Sequence, residues 1–128
     1  MNFLQGLFDS TYRENMDVIL RLVEQNNNSQ ILDCGCGEGS FTKELAERVG
    51  TGKVYGVEFI EELAWAAEKK GIKVYRANLN EKLPVDDEVF DFVCANQIIE
   101  HLFETDLFIK EIYRVCRWGG TLLFQHQT

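Results

Sequence analysis

The segment ILDCGCGEGSFT, residues 31–42, constrains the fold more than any other part of the chain. Its apolar start predicts a buried strand that ends near Asp33, and a helical pattern of apolar residues follows it. Between them stand three alternating glycines, Gly35, Gly37 and Gly39. Glycine is favoured where a backbone turns through positive φ or approaches a ligand closely. The segment therefore predicts a strand, a glycine loop and a helix, which together form a nucleotide-binding turn.

The spacing of the glycines distinguishes between nucleotide ligands. A dinucleotide fingerprint, G-x-G-x-x-G, would need a third glycine where the chain has Ser40. The chain instead reads D-x-G-x-G-x-G, which resembles the first motif of the class I S-adenosylmethionine-dependent methyltransferases. The resemblance implies an S-adenosyl-L-methionine site formed in part by Asp33, Gly35, Cys36, Gly37 and Gly39.

A carboxylate stands at the expected distance beyond this loop. The β-rich run KVYGVE ends at Glu58, and 58 − 37 = 21 residues separate it from Gly37. An acid about 20 residues after such a loop accepts hydrogen bonds from both ribose hydroxyls of a nucleotide. The alternative is a solvated acid at a strand end, and the glycine turn favours the ligand. Phe59 follows directly and is expected to lie beside the adenine.

The resemblance extends over most of the chain from Gln30 onward. Asn78 and Leu79 stand where the family places an acid against the adenine amino group. Asn78 replaces the usual Asp, and its side-chain oxygen can still accept a hydrogen bond without bringing charge. Residues 89–101 resemble the family's fourth strand and following loop, where we expect Asn96 and Gln97 to approach the methionine end of the cofactor.

Methyl transfer requires mainly the alignment of an acceptor with the sulfonium and the exclusion of water. A general base is optional. His101 is the only histidine near a loop of the predicted site, and it could remove a proton from an acceptor. The alternative, which we favour, is that His101 orients its loop by packing and hydrogen bonds.

Hydrophobic periodicity predicts alternating helices and strands after an amino-terminal helix. Strands separated by helices of about ten residues favour an α/β fold, a doubly wound, Rossmann-like parallel sheet with helices on both faces. We expect one domain, with an amino-terminal helix and linker at residues 1–29 and a methyltransferase core at residues 30–128. The predicted helices are 11–24, 40–49, 60–70 and 104–117, and the predicted strands are 30–34, 53–58, 72–76, 90–95 and 120–125.

The chain stops soon after the fifth strand, whereas the resemblance implies a further antiparallel pair. The segment RVCRWGG, residues 114–120, resembles the turn that precedes the family's fifth strand. We therefore expect an exposed edge at strand five. A homodimer or a missing carboxyl-terminal segment would cover that edge.

Composition limits the partners and the location. Against 13 basic residues the chain has 21 acidic ones, and its net charge of −8 disfavours direct nucleic-acid binding. It has neither an apolar run of membrane-spanning length nor a signal-peptide pattern, so we expect a cytoplasmic protein without membrane contact. The four cysteines lack paired C-x-x-C spacing, which favours buried thiols over a metal site.

Three functions remain open at this point. The first is methyl transfer from S-adenosyl-L-methionine to a small-molecule or sugar-like acceptor, as the resemblance to the type 11 and type 12 methyltransferases implies. The second is a cofactor-binding module without turnover of its own. The third is a nicotinamide oxidoreductase with a degenerate loop. The fold alone does not name the acceptor.

Overall fold

The computed structural model describes residues 16–96 and 101–125, except for the side chains of Phe124 and Gln125. Helices and strands alternate through these residues, as the periodicity predicts. The helices are α1 (16–22), α2 (Ser40–Val49), α3 (Glu61–Lys69) and α4 (Thr105–Val115). The strands are β1 (Ile31–Cys34), β2 (Val54–Val57), β3 (Lys73–Tyr75), β4 (Phe90–Asn96) and β5 (Cys116–Gln125).

The five strands form one parallel sheet in the order β3-β2-β1-β4-β5. All four residues of β1 are buried, as a central strand covered on both faces requires. From β1 the chain adds β2 and β3 on one side and then β4 and β5 on the other, so the strand order reverses between β1 and β4. Sheets of this class bind ligands at the carboxyl ends of the strands beside such a reversal. The fold confirms the predicted doubly wound sheet and places the glycine loop at this position.

Two hydrophobic cores cover the two faces of the sheet. One contains the apolar face predicted for α2, including Phe41 and Leu45, together with Ile19 from α1. The other joins α4 to the opposite face through Phe108 and Leu32. The amino-terminal helix thus packs on the sheet, and it ends at residue 22 rather than at the predicted residue 24. Residues 11–15 of that predicted helix lie outside the described part of the chain.

The start of β5 differs from the prediction, which extended the preceding helix to residue 117. Helix α4 ends at Val115, and Cys116 already has extended backbone and pairs with Phe90. The next registered pair is Phe92 with Thr121, so residues 117–120 bulge out of the ladder. The predicted turn is therefore an irregularity inside the strand, because pairing begins before the glycines rather than after them.

Within the described residues, β5 has a neighbouring strand only on its β4 side. The expected edge is therefore present, and its cover by a second copy or a further segment stays a prediction. No helix in residues 16–96 or 101–125 combines the length and apolarity needed to cross a membrane.

Candidate cofactor-binding site

The glycine loop that follows β1 is attached to the end of β2 through the main chain. The N–H groups of Gly35 and Cys36 both donate to the carbonyl oxygen of Val57, at 2.8 and 3.1 Å. Gly35, Gly37 and Gly39 have φ values of 75°, 60° and 93°. These values confirm the left-handed backbone expected of the three glycines, which other residues adopt only with strain.

Two of these glycines face different surroundings. A Cβ placed on Gly39 would lie 2.6 Å from Ile72 Cδ1 and 3.1 Å from the Cα of Ala67. Gly39 therefore allows α3 to pack closely against the loop. A Cβ placed on Gly37 would meet no atom within 4 Å, so Gly37 borders open space that a side chain would partly fill. That space suits a ligand held close to the main chain.

Glu58 lies directly against this loop, as the spacing predicted. Its Oε1 accepts a hydrogen bond from Gly37 N–H at 2.9 Å, and its Oε2 accepts one from Ile60 N–H at 3.0 Å. A carboxylate offers about four lone-pair sites, so both oxygens retain acceptor capacity. The half-buried Glu58 can therefore hold the loop and still accept from the hydroxyls of a ribose.

Asp33 is buried at the end of β1, where its Oδ2 accepts a 2.7 Å hydrogen bond from Thr42 Oγ1. The pKa of Asp33 is raised from 3.8 to about 7, mainly by burial, with the Thr42 hydrogen bond lowering it and the negative charge of Glu58 raising it by smaller amounts. Asp33 thus connects β1 to the first turn of α2. Thr42 was not among the predicted site residues, because a threonine on a helix gives no signal of such a partner.

The side chain of Cys36 is buried in the core, and its Sγ lies 3.6 Å from the carbonyl oxygen of Gly37. Its Sγ would lie 2.5 Å from a Cβ on Gly56, which explains the glycine inside β2 that the sequence analysis did not identify. Cys34 packs in the core on the opposite face, so the two thiols point to opposite sides of the sheet. Burial raises the pKa of Cys36 to about 12 and also raises that of Cys34. Cys36 can therefore contact a ligand only through its main chain.

Asn78 already uses the oxygen that was expected to accept from adenine. Its Oδ1 accepts from the main-chain N–H of Asn80 at 2.8 Å and from Asn80 Nδ2 at 3.2 Å. An amide oxygen has two lone pairs, so an adenine amino group would have to replace one of these donors. The neighbouring Leu79 packs its side chain against the core, which leaves its main chain for any ligand contact.

Asn96 carries a polar group without a partner at the carboxyl end of β4. Both its Oδ1 and its Nδ2 are buried, and neither has a hydrogen bond within the part of the chain that the structure describes. Buried polar groups are nearly always paired in proteins, since an unpaired one costs about 1 to 3 kcal/mol. A polar ligand at this edge would supply partners, as expected for the methionine end of the cofactor. Gln97, its predicted neighbour in the site, lies outside the described residues.

Phe59 and His101 both lie at the carboxyl edge of the sheet. Phe59 follows Glu58 and is 69% exposed, so its ring remains available to an adenine. His101 is also exposed, in the segment between β4 and α4. By contrast, a surface hollow of about 470 Å³ beside Glu88 and Trp118 lies at the amino ends of β4 and β5. That edge is the wrong one for ligand binding in a fold of this class.

Comparison with known proteins agrees with this geometry. Residues 32–124 match the family model described as a methyltransferase domain. A demethylmenaquinone methyltransferase of Geobacillus stearothermophilus is 31% identical over 110 residues, which cover 80% of this chain and 47% of the relative. A Mycolicibacterium smegmatis protein named as a probable S-adenosylmethionine-dependent methyltransferase is 32% identical over 124 residues, covering 94% and 47%.

Among solved structures, the YcgJ protein of Bacillus subtilis superposes with a TM-score of 0.77 at 19% identity, covering 88% of this chain and 50% of that one. This likeness shows the fold. The chain spans about half the length of the curated relatives it matches. The matched domain, the relatives and the contact between the glycine loop and Glu58 together show the family. The chain belongs to the class I S-adenosylmethionine-dependent methyltransferases.

Proposed function

We propose that this chain forms the cofactor-binding part of an enzyme that transfers a methyl group from S-adenosyl-L-methionine to a small-molecule acceptor. The single observation that carries the proposal is the 2.9 Å hydrogen bond from Gly37 N–H to Glu58 Oε1. It joins the glycine loop of the family's first motif to an acid suited to ribose. The demethylmenaquinone methyltransferases among the relatives support a small-molecule acceptor.

In this proposal, different residues at the carboxyl edge of the sheet bind different parts of the cofactor. The main chain around Gly37 and the carboxylate of Glu58 bind the ribose, and the unpaired amide of Asn96 binds the methionine end. When bound, S-adenosyl-L-methionine supplies a methyl group that its sulfonium already activates. The protein then contributes mainly position and the exclusion of water.

His101 has two possible roles in this proposal. It stands at the edge where an acceptor would enter and could take a proton from an acceptor hydroxyl or carbon acid. We favour the other role, in which His101 orients the segment before α4. Replacing His101 by Ala and measuring turnover distinguishes the two, since loss of a general base lowers the rate about 10²- to 10⁴-fold and loss of an orienting contact lowers it less.

Calorimetric titration with S-adenosylhomocysteine tests the binding site. We expect Glu58→Gln to weaken binding by about 1 to 3 kcal/mol, because the variant loses one of the two charged acceptor oxygens. The exposed Glu62, four residues further on in α3, provides the matched control. Glu62→Gln should bind like the unaltered chain.

Three outcomes would contradict the proposal. Equal weakening in both variants would point to net charge rather than a ribose contact. Binding of NAD without binding of S-adenosylhomocysteine would indicate a nicotinamide enzyme. Binding without methyl transfer to any acceptor, also in the presence of the remainder of a full-length protein, would indicate a module without turnover.

A further inference from the structure

Asn80 lies between two parts of the molecule that meet at the carboxyl edge of the sheet. Its Oδ1 accepts hydrogen bonds from the main-chain N–H groups of Phe103 and Glu104, at 2.7 and 2.9 Å. These groups stand at the start of α4, whose cap residue Glu104 makes no side-chain capping bond of its own. The N–H of Glu104 is one of the groups at the helix start that lack an intrahelical partner, so Asn80 anchors the entry to α4 from the segment after β3.

The remaining donors of Asn80 face the predicted adenine site. Its main-chain N–H and its Nδ2 both donate to Asn78 Oδ1, at 2.8 and 3.2 Å. A main-chain nitrogen can only donate, so the Asn78 atom that receives it must be the amide oxygen. One side chain thus links the residue in the adenine position to the start of α4.

An adenine amino group would compete with Asn80 for the same acceptor. Both lone pairs of Asn78 Oδ1 are occupied, and the side-chain donor of Asn80 makes the longer of the two bonds. That donor is the one that adenine would displace. If Nδ2 is released, the side-chain amide of Asn80 is held only by the hydrogen bonds that its Oδ1 accepts from Phe103 and Glu104.

The other end of α4 is held in a different way. The buried Glu111 accepts from Leu83 N–H at 2.7 Å, and Arg114 donates to the carbonyl oxygens of Leu83 and Val85 at 3.1 and 2.7 Å. The segment between β3 and β4 therefore holds α4 at both ends. At the amino end, the residue that holds α4 is itself bonded to Asn78, the residue in the predicted adenine position.

We propose that Asn80 is a positioning residue that couples occupancy of the adenine end of the cofactor site to residues 101–104, the segment that leads from His101 into α4. This proposal rests on the proposed function, because it requires an adenine beside Asn78. The exchange of donors at Asn78 Oδ1 transmits cofactor binding to the two amides that precede α4. The cofactor's arrival thereby adjusts the segment that carries His101.

Amide hydrogen exchange at Phe103 and Glu104 tests the coupling, with S-adenosylhomocysteine as the probe. Both amides should be protected in the free chain, and S-adenosylhomocysteine should change that protection. In Asn80→Ala we expect both amides to exchange about tenfold faster without ligand, the loss expected from one net hydrogen bond. Asn80→Asp keeps an acceptor for both amides, but its side chain cannot donate to Asn78. This variant should therefore restore the protection of both amides, and that protection should no longer respond to the ligand.

Two controls make the experiment specific. Asn26 forms a similar turn, accepting from Asn28 N–H at 3.0 Å on an exposed loop, and Asn26→Ala should leave both amides unchanged. S-inosylhomocysteine carries a carbonyl oxygen in place of the 6-amino group. The 6-oxo group cannot donate to Asn78 Oδ1, so S-inosylhomocysteine should leave the protection at Phe103 and Glu104 as in the free chain.

The possible failures are distinguishable. If S-adenosylhomocysteine does not bind the unaltered chain, the proposed function fails and the coupling fails with it. If it binds but exchange at Phe103 and Glu104 does not respond, the coupling alone is overturned. A response of equal size in Asn80→Asp also overturns it, because that variant lacks the donor that adenine would displace.

Discussion

The glycine loop and the segment after β3 border the same predicted cofactor site, yet they are built from different groups. The loop presents bare main chain beside the open space at Gly37, and Glu58 holds the loop while retaining acceptor capacity. The segment after β3 presents the amide of Asn78, whose single oxygen is already saturated by Asn80. The first region is therefore ready for a ligand as it stands, whereas the second must exchange one hydrogen bond for another.

This difference explains why the two regions should respond differently to mutation. The loop depends on glycine conformations and close packing, so its substitutions should act mainly on stability. The segment after β3 depends on exchangeable hydrogen bonds between neutral amides, each worth about 0.5 to 1.5 kcal/mol. Its substitutions should act mainly on ligand affinity and on α4.

The largest effect is expected on the loop side, from Gly39→Ala. The new Cβ would lie 3.1 Å from the main chain of Ala67 at a φ of 93°, and helix α3 cannot move aside as readily as the side chain of Ile72. We expect unfolding by urea to show a loss of about 2 to 4 kcal/mol. Gly50→Ala is the control, because its φ is 84° with no atom within 4 Å, and it should cost about 1 kcal/mol. If both variants lost the same free energy of unfolding, the close packing of Gly39 against α3 would contribute nothing to stability.

Over a single pH unit, a smaller effect on the same side is expected from Asp33→Asn. Because the pKa of Asp33 is raised from 3.8 to about 7, the folded chain holds a proton there that the unfolded chain releases. The stabilisation from this group is complete below pH 3.8 and is lost as pH rises towards about 7. The difference between unaltered and variant chains should therefore change by up to about 1.4 kcal/mol per pH unit in this window.

Urea unfolding at several pH values measures this difference. The exposed Asp86 provides a control, since Asp86→Asn removes the same charge without touching the buried carboxyl. If Asp33→Asn follows the same pH dependence as the unaltered chain, the buried carboxyl does not hold the proton assigned to it.

The smallest effect is expected in the segment after β3, from Asn78→Asp. A carboxylate has a second oxygen, so Asn80 could keep its bonds while the adenine amino group gains an acceptor of its own. Titration should show S-adenosylhomocysteine binding more tightly by about 0.5 to 1.5 kcal/mol. Asn26→Asp, which changes a similar turn far from the site, should leave the affinity unaltered. Weaker binding to Asn78→Asp would mean that Asn78 does not face the adenine.

The site was predictable where its parts follow from local sequence. Alternating glycines and an acid 21 residues later sufficed to bring Gly37 and Glu58 together, because a parallel sheet places the ends of successive strands at one edge. Asn80 was not predicted, since its partners at Phe103 and Glu104 lie more than 20 residues away. The start of β5 was also missed, because the register with β4 rather than the local glycines decides where pairing begins.

The sequence alone determined the order of strands and helices, the left-handed loop and an acid that meets this loop, since periodicity, glycine and spacing act over short stretches of chain. Tertiary structure decided which acceptors remain available. It buried Asp33 beside Thr42, turned Cys36 into the core, saturated Asn78 and left Asn96 without a partner among the described residues. Hydrogen-bond capacity depends on every neighbour that folding brings within 3 Å or so, and a linear pattern does not contain that information.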